Sequence, residues 1–329
     1  MPAFATTTVS TAPYPRLLAD IGGTNTRFGW QSLPGEGITA AQVQRTADHP
    51  DLLDAIRAYL AGQGLPSPRA AALAVASLVK DDRVSMTNHH WQFSQLELCT
   101  ALGLDVLRVV NDFTALALAL PMIPKTELRQ VGGGEADPDA AMALLGPGTG
   151  LGASGLLPDG FGGWVAIEGE GGHVTLPAST PRERVVMEGL AGMYGRASAE
   201  RFLSGQGLLD GCRILCHTDG IDASALEMPA DVTSAALSGS LPQAVETLTM
   251  FCALLGSVAG NLALTLGARG GLYIGGGIVP RLGEWFDRSP FRERFERKGR
   301  YREHLARIPV WVITSPQSPA LIGVARVLG

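Results

Sequence analysis

Each half of the chain contains two short apolar segments that are separated by a glycine-rich turn. In chain order, the segments and turns are Arg16–Asp20, Gly22–Asn25 and Arg27–Trp30, then Ala141–Leu145, Gly146–Gly152 and Ala153–Leu157. Strand-length apolar runs on either side of a glycine turn are typical of β-hairpins. Placing Gly23-Thr24 over Gly148-Thr149 aligns the two hairpins, and further strands and helices follow each of them. The sequence therefore predicts two similar α/β lobes with a cleft between them.

Periodicity and capping signals predict the other main elements. In chain order these are a helix at 51–62, strands at Ala70–Ala76 and Leu104–Val110, a helix from about Thr114, a helix from Thr180-Pro181-Arg182-Glu183, a strand at Val310–Thr314 and a helix at Ala320–Leu328. Pro121 and Pro124 interrupt the chain and mark a candidate domain boundary. Residues 1–15 have neither a basic segment nor an apolar core, so they are predicted to be a disordered tail and not a signal peptide.

One uncharged segment, Thr247–Ala268, is long enough to span a membrane, and Gly256 and Gly260 form a GxxxG match. Its threonine, serine and asparagine residues dilute the hydrophobicity, and the chain has no second segment of this kind. A helix buried in a large α/β core needs the same composition, and we favour that interpretation. Ser240, with Gln243 three residues later, predicts the N-cap of this helix.

Charge and cysteine content restrict the possible partners. The chain has 26 basic and 31 acidic residues, a net charge of −5, which predicts no general attraction for nucleic acid or membranes. Arg288–Arg307 is locally basic, but its interspersed glutamates favour a solvated amphipathic helix over nucleic-acid binding. Cys212, Cys216 and His217 suggest a metal site, but a zinc site needs more ligands, so buried thiols and a reducing, cytoplasmic setting are favoured.

Three glycine-rich turns, at Asp20–Asn25, Gly146–Gly152 and Gly275–Gly277, could point backbone N–H groups at phosphate oxygens. The chain lacks a GxxxxGK(S/T) motif, so it is not a P-loop protein. A GxGxxG match from Gly150 to Gly155 precedes a predicted strand, whereas the dinucleotide fingerprint requires a helix there. Tight turns without a ligand are the alternative, and this is harder to sustain for three turns in one chain.

Several acidic residues and one histidine form a second group of candidates. Asp112 lies between a strand and a helix, where it is either a functional carboxylate or an ordinary N-cap. Glu170 and His173 are three residues apart in a glycine-rich loop and could face one small polar ligand, although His173 could equally be structural. Glu200, judged from its neighbours alone, looks like part of a solvated helix face.

Taken together, these motifs closely resemble those of the bacterial glucokinases in the hexokinase/actin-like superfamily, from about Arg16 to Gly329. The matching stretches, in family order, are Asp20–Asn25, Met86-Thr87-Asn88, Asn111–Ala115, Gly148–Gly152, Gly169–His173, Ser198–Arg201 and Gly275–Pro280. The zinc-binding cysteine cluster of the related ROK kinases and repressors is absent from the sequence, and no helix-turn-helix domain precedes the kinase-like part.

The resemblance implies a two-lobed actin-like (ribonuclease H-like) α/β fold, with a duplicated mixed β-sheet, helices and an active-site cleft between the lobes. The implied small domain is 16–122 plus 313–329, and the large domain is 123–312. The implied reaction is transfer of the γ-phosphoryl group of ATP to the 6-hydroxyl of glucose, which gives glucose 6-phosphate and ADP. A cytoplasmic homodimer that binds neither nucleic acid nor membrane is the corresponding expectation.

The resemblance also implies residue roles. Asp112 is the expected catalytic base, and Asp20 is the expected Mg²⁺ ligand, through water. The expected sugar ligands are Asn111, Asp112, Glu170, His173 and Glu200. The residues expected to bind ATP are Asp20, Gly22, Gly23, Thr24 and Asn25 in one turn, Gly148, Thr149 and Gly150 in the second, and Gly275, Gly276 and Gly277 against the adenosine.

One loop departs from the family pattern, which usually has a proline and then a Gly-Asp pair before Met86. This chain has Leu78 at the proline position and Asp81-Asp82 for the pair, so glucose affinity or selectivity is expected to differ. Two other functions use some of the same residues. A non-catalytic sugar sensor would keep the sugar ligands, and a glycoside hydrolase could use Asp112 and Glu170 but would not need three phosphate-type turns.

Overall fold

The computed structural model describes residues 12–77, 79–87, 89–316 and 318–329. The chain divides into two compact units. Unit 1 contains the residues up to Ile123 together with Pro316–Gly329, and unit 2 contains Pro124–Ser315. Pro124, which interrupts the apolar pattern in the sequence, is thus the first residue of unit 2.

The strands and helices are numbered in chain order. Up to Ile123 they are β1 (Arg16–Ile21), β2 (Asn25–Gln31), β3 (Thr39–Arg45), α1 (Leu52–Gly62), β4 (Ala70–Val75), β5 (Arg83–Ser85), β6 (Gln92–Ser94), α2 (Gln95–Leu102), β7 (Val106–Asn111) and α3 (Asp112–Ala119). In unit 2 they are β8 (Leu128–Gln130), β9 (Met142–Pro147), β10 (Leu151–Pro158), β11 (Trp164–Ile167), α4 (Pro181–Tyr194), α5 (Ala199–Phe202), α6 (Gly205–Asp219), α7 (Pro229–Ser238), α8 (Pro242–Leu266), β12 (Gly271–Ile274), α9 (Val279–Leu282), α10 (Glu284–Asp287), α11 (Phe291–Glu296), α12 (Arg302–Ala306) and β13 (Val310–Ile313). The final helix, α13 (Ala320–Val327), belongs to unit 1.

The two units contain sheets of corresponding topology. The sheet of unit 1 has the order β3-β2-β1-β4-β7, and that of unit 2 has the order β11-β10-β9-β12-β13-β8. In each, an antiparallel hairpin (β1-β2 or β9-β10) is followed by two strands parallel to its first strand. The predicted duplication of a mixed sheet is confirmed. Every residue of β1, β4 and β9 is buried, as expected for central strands that are covered on both faces.

In unit 1, helices α3 and α13 pack against each other without room for a side chain at their contact. A Cβ atom added to Gly323 would lie 1.7 Å from the carbonyl oxygen of Ala115. Ala115, Ala320 and Val324 are buried with it against the parallel strands. The predicted helix at the end of the chain is therefore part of the core of unit 1.

The long apolar segment is a core helix, as favoured from the sequence. Helix α8 passes a length and hydropathy test for a membrane span, but 72% of the tested window is buried inside the protein. Cβ atoms at Gly256 and Gly260 would lie 2.2 Å and 2.5 Å from the carbonyl oxygens of Phe291 and Phe295. The GxxxG pattern thus lets α11 approach α8 closely.

The prediction that Ser240 is the N-cap of α8 is wrong. The helix begins at Pro242, so its N-cap position is Leu241, which has no side-chain capping bond. The Ser240 hydroxyl instead interacts with Ser238 and the Ala235 carbonyl at the end of α7. The proline accounts for the difference, because its fixed φ is suited to the first helical position and its missing N–H needs no capping partner.

The basic stretch Arg288–Arg307 is not one solvated helix. It contains two short helices, α11 and α12, and the chain between them turns at Gly299, which has a φ of +56°. Phe291 and Phe295 are fully buried in the core of unit 2. Charge counting failed here because it takes no account of the buried aromatic residues Phe291 and Phe295, which hold one face of α11 against α8.

Glu183 and Arg294 form a buried ion pair between α4 and α11, with Arg294 Nη1 donating to Glu183 Oε1 at 2.7 Å. Only 4% of the Glu183 side chain and 10% of the Arg294 side chain is exposed. We expect Arg294→Met to lower the free energy of unfolding by about 3–5 kcal/mol, because the substitution leaves a buried carboxylate without its countercharge. Urea unfolding checks this, with Arg288→Met as the control. Arg288 pairs with Glu284 in solvent, and its loss is expected to cost about 0–1 kcal/mol.

The predicted disordered tail extends too far towards β1. Ala12 is buried, and its N–H donates to the Leu328 carbonyl at 2.9 Å. The Arg16 guanidinium binds the Ala12 carbonyl at 2.7 Å. Residues 12–15 are therefore part of the packed structure of unit 1, and residues 1–11 lie outside the described residues.

Candidate active site

In unit 1, the turn between β1 and β2 contains Gly22, Gly23 and Thr24, and β2 begins at Asn25. The turn is closed by a hydrogen bond from Gly22 N–H to the Asn25 carbonyl at 3.0 Å. Thr46 holds it from the far side, because its hydroxyl donates to the Gly22 carbonyl at 2.8 Å and its N–H donates to the Thr24 carbonyl at 3.0 Å. No motif in the sequence points to Thr46, since this contact depends on how β3 pairs with β2.

Asp20 lies one residue before the end of β1 and is only 7% exposed. Its Oδ2 accepts a hydrogen bond from Arg27 Nη1 at 3.3 Å, across the hairpin. Burial raises the pKa of the Asp20 carboxyl group, and the Arg27 guanidinium and the Ser318 hydroxyl offset only part of this shift. A buried carboxylate beside a glycine turn can interact more strongly with a cation than an exposed one, because the effective dielectric constant inside a protein is lower than that of water.

Asn111 and Asp112 mark the junction of β7 and α3, and their roles at the helix terminus differ from the expectation. The helix begins at Asp112, two residues before the predicted start, and Asn111 is the N-cap. Asn111 Oδ1 accepts the N–H groups of Phe113 and Thr114 at 2.9 Å and 3.4 Å, and its Nδ2 donates to the Ser77 carbonyl at 3.2 Å. The alternative of Asp112 as an ordinary N-cap is therefore wrong.

Asp112 occupies the first position of α3, and its Oδ1 accepts the N–H of Phe113 at 2.9 Å. The positive end of the helix dipole favours a negative charge at this position. Asn111, fixed at both ends of its amide, orients the backbone from which the Asp112 side chain projects. A half-buried carboxylate held in this way is suited to accept a proton.

In unit 2, the glycine turn is shorter than predicted. Gly146 and Pro147 belong to β9, and Leu151 and Gly152 belong to β10, which leaves Gly148, Thr149 and Gly150 as the turn. The N–H of Gly148 donates to the Gly150 carbonyl, and Gly205, the first residue of α6, donates to the Gly148 carbonyl, both at 2.8 Å. Because a strand follows the turn, the GxGxxG match is not a dinucleotide fingerprint, as predicted.

The third glycine segment of the sequence, Gly275–Gly277, follows β12 in the same unit. Gly276 has a φ of +75°, and a Cβ atom there would lie 2.3 Å from the Pro147 carbonyl oxygen. The N–H of Ile278 donates to that carbonyl at 3.4 Å. This segment therefore packs directly against the end of β9, where the turn Gly148–Gly150 begins, and only glycine fits at position 276.

Three of the expected sugar ligands, Glu170, His173 and Glu200, come together in unit 2. His173 Nε2 lies 3.9 Å from Glu170 Oε2, and His173 Nδ1 lies 3.9 Å from Glu200 Oε1. The loop that bears Glu170 and His173 ends in a single 3₁₀ turn. About half of each of these two side chains is exposed, compared with 29% for Glu200.

The interpretation of Glu200 as a solvated helix residue is wrong. The residues before it pair with the chain after His173, because Ala199 donates to the Val174 carbonyl at 2.8 Å and Leu176 donates to the Ala197 carbonyl at 3.1 Å. Helix α5 has only four residues, with Ser198 as N-cap. A four-residue helix has no repeating polar face, so local sequence could not show which side of it is covered.

A small cavity of about 70 Å³ lies beside this cluster. Its lining residues are Thr149, Tyr194, Glu200, Arg201, Ser204, Gln206 and Asp210. Asp210 is 3% exposed, and its two oxygens accept hydrogen bonds from the Tyr194 hydroxyl at 2.7 Å and Gln206 Nε2 at 2.8 Å. A larger groove of about 410 Å³ lies between α4 and α6, and most of its lining is apolar. None of the expected ligands lines that groove.

Cys212 and Cys216 are buried in α6, as expected for structural thiols. Burial raises the pKa of Cys212 to about 11 and that of Cys252 to about 12, and it also raises the pKa of Cys216. Within the described parts of the chain, no group of three or more His, Cys, Asp or Glu side chains has the arrangement of a metal site.

We expect a disulfide reagent such as DTNB to modify Cys99 alone in the native protein at pH 8. Cys99 is partly exposed, whereas the three other thiols are buried and form little thiolate at this pH. Release of thionitrobenzoate, counted before and after denaturation, checks this. A Cys99→Ser variant that still reacts rapidly in the native state would contradict it.

The loop that departs from the family pattern is only partly described. Leu78 and Asn88 lie outside the described residues. Asp82 Oδ1 accepts the N–H of Leu96 at 2.8 Å, and hydrogen bonds from the Ser94 hydroxyl and this amide lower the pKa of Asp82. Asp82, which keeps the aspartate of the usual Gly-Asp pair, thus anchors the loop to the start of α2, whereas Asp81 is the residue that replaces the glycine.

Comparison with known proteins finds glucokinases in both the family model and the curated relatives. The family model "Glucokinase" matches residues 17–329. The glucokinase of Aromatoleum aromaticum is 52% identical over 316 residues, which are 96% of this chain and 95% of that protein. The glucokinase of Chromobacterium violaceum is also 52% identical, over 95% of this chain and 88% of that protein.

A solved structure shows the same fold. The crystal structure of a glucokinase from an Antarctic psychrotroph superposes with a TM-score of 0.85 at 35% sequence identity. The match covers 95% of this chain and 98% of that chain. The expected two-lobed sugar-kinase fold is therefore confirmed.

Proposed function

The chain belongs to the glucokinase family, and on this premise we propose that it transfers the γ-phosphoryl group of ATP to the 6-hydroxyl of glucose. The products are glucose 6-phosphate and ADP. The observation that carries the proposal is the cluster of Glu170, His173 and Glu200 beside the glycine turn Gly148–Gly150. Hydrogen-bonding groups for a polyhydroxylated ligand and a turn suited to phosphate thus occur within one unit.

Asp112 is the proposed catalytic base. A primary hydroxyl is a weak nucleophile, so a carboxylate within hydrogen-bonding distance has to orient it and accept its proton. The position of Asp112 at the start of α3 supports this role, since the helix dipole favours its charged form. Asn111 is proposed as a sugar ligand that also fixes this junction, and its second amide hydrogen is the group available for a sugar oxygen.

Glucose recognition is assigned to the Asn111–Asp112 junction together with Glu170, His173 and Glu200. Carboxylates accept hydrogen bonds from sugar hydroxyls, and histidine supplies a donor or an acceptor. A sugar that lacks one of these hydroxyls would leave a desolvated partner without a hydrogen bond, which costs about 1–3 kcal/mol. Discrimination among hexoses follows from this penalty.

The glycine segments are proposed to hold ATP. Asp20–Asn25 and Gly148–Gly150 would bind phosphates through backbone N–H groups, and Gly275–Gly277 would lie against the adenosine. The positive φ and close packing of Gly276 support this assignment, because they leave the backbone there without a covering side chain. Phosphoryl transfer depends mainly on positioning and charge stabilisation, so it needs no P-loop lysine.

Mg²⁺ is proposed to enter with the nucleotide. The described residues contain no three-ligand acidic cluster, and Mg²⁺ characteristically binds one or two carboxylates, substrate phosphates and water. Asp20 fits such a site, since it supplies a buried carboxylate beside the first turn. The ion would neutralise charge on the phosphates, while Asp20 would hold it through water.

The family is also the basis for proposing a homodimeric, cytoplasmic enzyme. Light scattering coupled to size-exclusion chromatography tests the dimer. The reaction itself is tested by glucose-dependent ADP release from Mg-ATP, with glucose 6-phosphate measured by its dehydrogenase. Equal ADP release with and without glucose would contradict the proposed kinase. Glucose binding without ADP release would favour a non-catalytic sugar sensor.

A further inference from the structure

We propose that Glu200 couples glucose binding to nucleotide binding, because its carboxylate joins the sugar-ligand cluster to the phosphate turn. This inference rests on the proposed function and adds to it a positioning role. Glu200 would bind the sugar and, through the backbone of Leu151, hold the turn in its nucleotide-binding conformation.

The two carboxylate oxygens of Glu200 face different parts of the site. Oε2 accepts the N–H of Leu151, the residue that follows the turn, at 3.0 Å. Oε1 lies 3.9 Å from His173 Nδ1, on the side of the sugar-ligand cluster. One rigid group is therefore shared by the sugar ligands and the turn.

The backbone around this carboxylate leaves little space for independent movement. A Cβ atom at Gly150 would lie 2.5 Å from Glu200 Oε2, and one at Gly172 would lie 2.0 Å from the Leu151 carbonyl oxygen. The sugar-ligand loop and the turn are thus in direct contact. Packing this close transmits a displacement of one segment to the next.

The chain that follows Glu200 leads back to the same turn. Ser204 is the N-cap of α6, and the N–H of Gly205 donates to the Gly148 carbonyl at 2.8 Å. Residues 200–205 therefore contact the turn at both of its ends, Leu151 and Gly148. The Glu200 carboxylate thus holds the Leu151 end of the turn, and the Gly205 N–H holds the Gly148 end.

The expected coupling is positive. A sugar hydroxyl that donates to Oε1 orders the Glu200 side chain, so less ordering remains for the nucleotide to impose on the turn. Linkage then requires the nucleotide to tighten glucose binding by the same factor. We expect a factor of about five or more, within the usual range for coupled sites.

Glu170 provides a matched control. It is the other carboxylate beside His173, and within the described parts of the chain its polar contacts are with His173. Removing it should weaken glucose binding without loosening the turn. A residue that only binds sugar and one that also holds the turn are thereby distinguished.

The experiment is calorimetric titration of wild type, Glu200→Ala and Glu170→Ala with the non-hydrolysable analogue AMPPNP and Mg²⁺, with and without saturating glucose. The coupling factor is the Kd of AMPPNP without glucose divided by its Kd with saturating glucose. We expect Glu200→Ala to raise the Kd of AMPPNP about five-fold or more without glucose, and to reduce the coupling factor to about one. Glu170→Ala should leave the Kd of AMPPNP measured without glucose as in wild type. Thermal melts verify that each variant is folded.

Gly150→Ala tests the same contact without removing a sugar ligand, because its Cβ would displace Glu200 Oε2 from Leu151. It should also lower the coupling factor. A wild-type coupling factor in Glu200→Ala or in Gly150→Ala would overturn the inference. So would an equal change in the Kd of AMPPNP, measured without glucose, in Glu200→Ala and Glu170→Ala. Wild type that binds glucose but no AMPPNP would instead refute the proposed function, whereas independent binding of both ligands would refute the coupling alone.

Discussion

Asp112→Asn is expected to lower kcat about 10²–10⁴-fold, while the Kd for glucose changes only a few-fold. The asparagine side chain keeps the size of the carboxylate and can still hydrogen-bond a sugar hydroxyl, but it cannot accept the proton. Asn111, and not Asp112, caps α3, so the helix start should survive the substitution. Initial rates of ADP release and a glucose titration of the variant provide the measurement.

The control for this variant is Asp105→Asn in the same unit. Asp105 forms an exposed pair with Arg69, so neutralising it should leave kcat unchanged. Asp112→Asn with wild-type kcat would show that the base is misassigned. A variant that lost glucose binding together with turnover would show instead that Asp112 is mainly a sugar ligand.

Gly172→Ala is expected to lower kcat/KM for glucose about 100-fold, by displacing the loop that carries Glu170 and His173. The added Cβ would lie 2.0 Å from the carbonyl oxygen of Leu151, and a backbone atom in a sheet cannot easily move away. A displacement of about 1 Å in a positioning element can cost about two orders of magnitude in rate. Steady-state kinetics at varied glucose check this result.

Gly169→Ala is the matched control, because it lies in the same loop and its Cβ would meet no atom within 4 Å. We expect near wild-type kinetics from it. Equal kinetics for the two variants would mean that the packing of Gly172 on β10 does not position the sugar ligands. An equal loss of kcat/KM in both variants would mean that reduced loop flexibility, and not the contact of Gly172 with Leu151, causes the effect.

Much of the fold was predictable because its signals are local. The capping box at Thr180 and Glu183 is present as the sequence predicts, since it needs only residues three apart. The two hairpins were predictable for the same reason. Element bounds shifted by one or two residues where a proline or an asparagine competed for the cap, as at Pro242 and Asn111.

The candidate site was predictable only in part. The residues came from the family resemblance, and physical reasoning placed Asp112 at a helix start and Glu170 beside His173. Glu200 was misinterpreted from its own stretch, because its environment is formed by residues 20 to 50 positions away. No sequence motif pointed to Thr46, because it reaches the first turn only once β3 has paired with β2.

The sequence by itself determined the duplicated hairpins, the buried character of α8 and the identity of the glycine turns. These features follow from periodicity, composition and backbone freedom, which are properties of neighbouring residues. Only the tertiary structure decided which face of Arg288–Arg307 is buried, which residue caps α3 and which contacts Glu200 makes. Those outcomes depend on atoms brought together from distant parts of the chain, where close packing and hydrogen-bond partners override local preference.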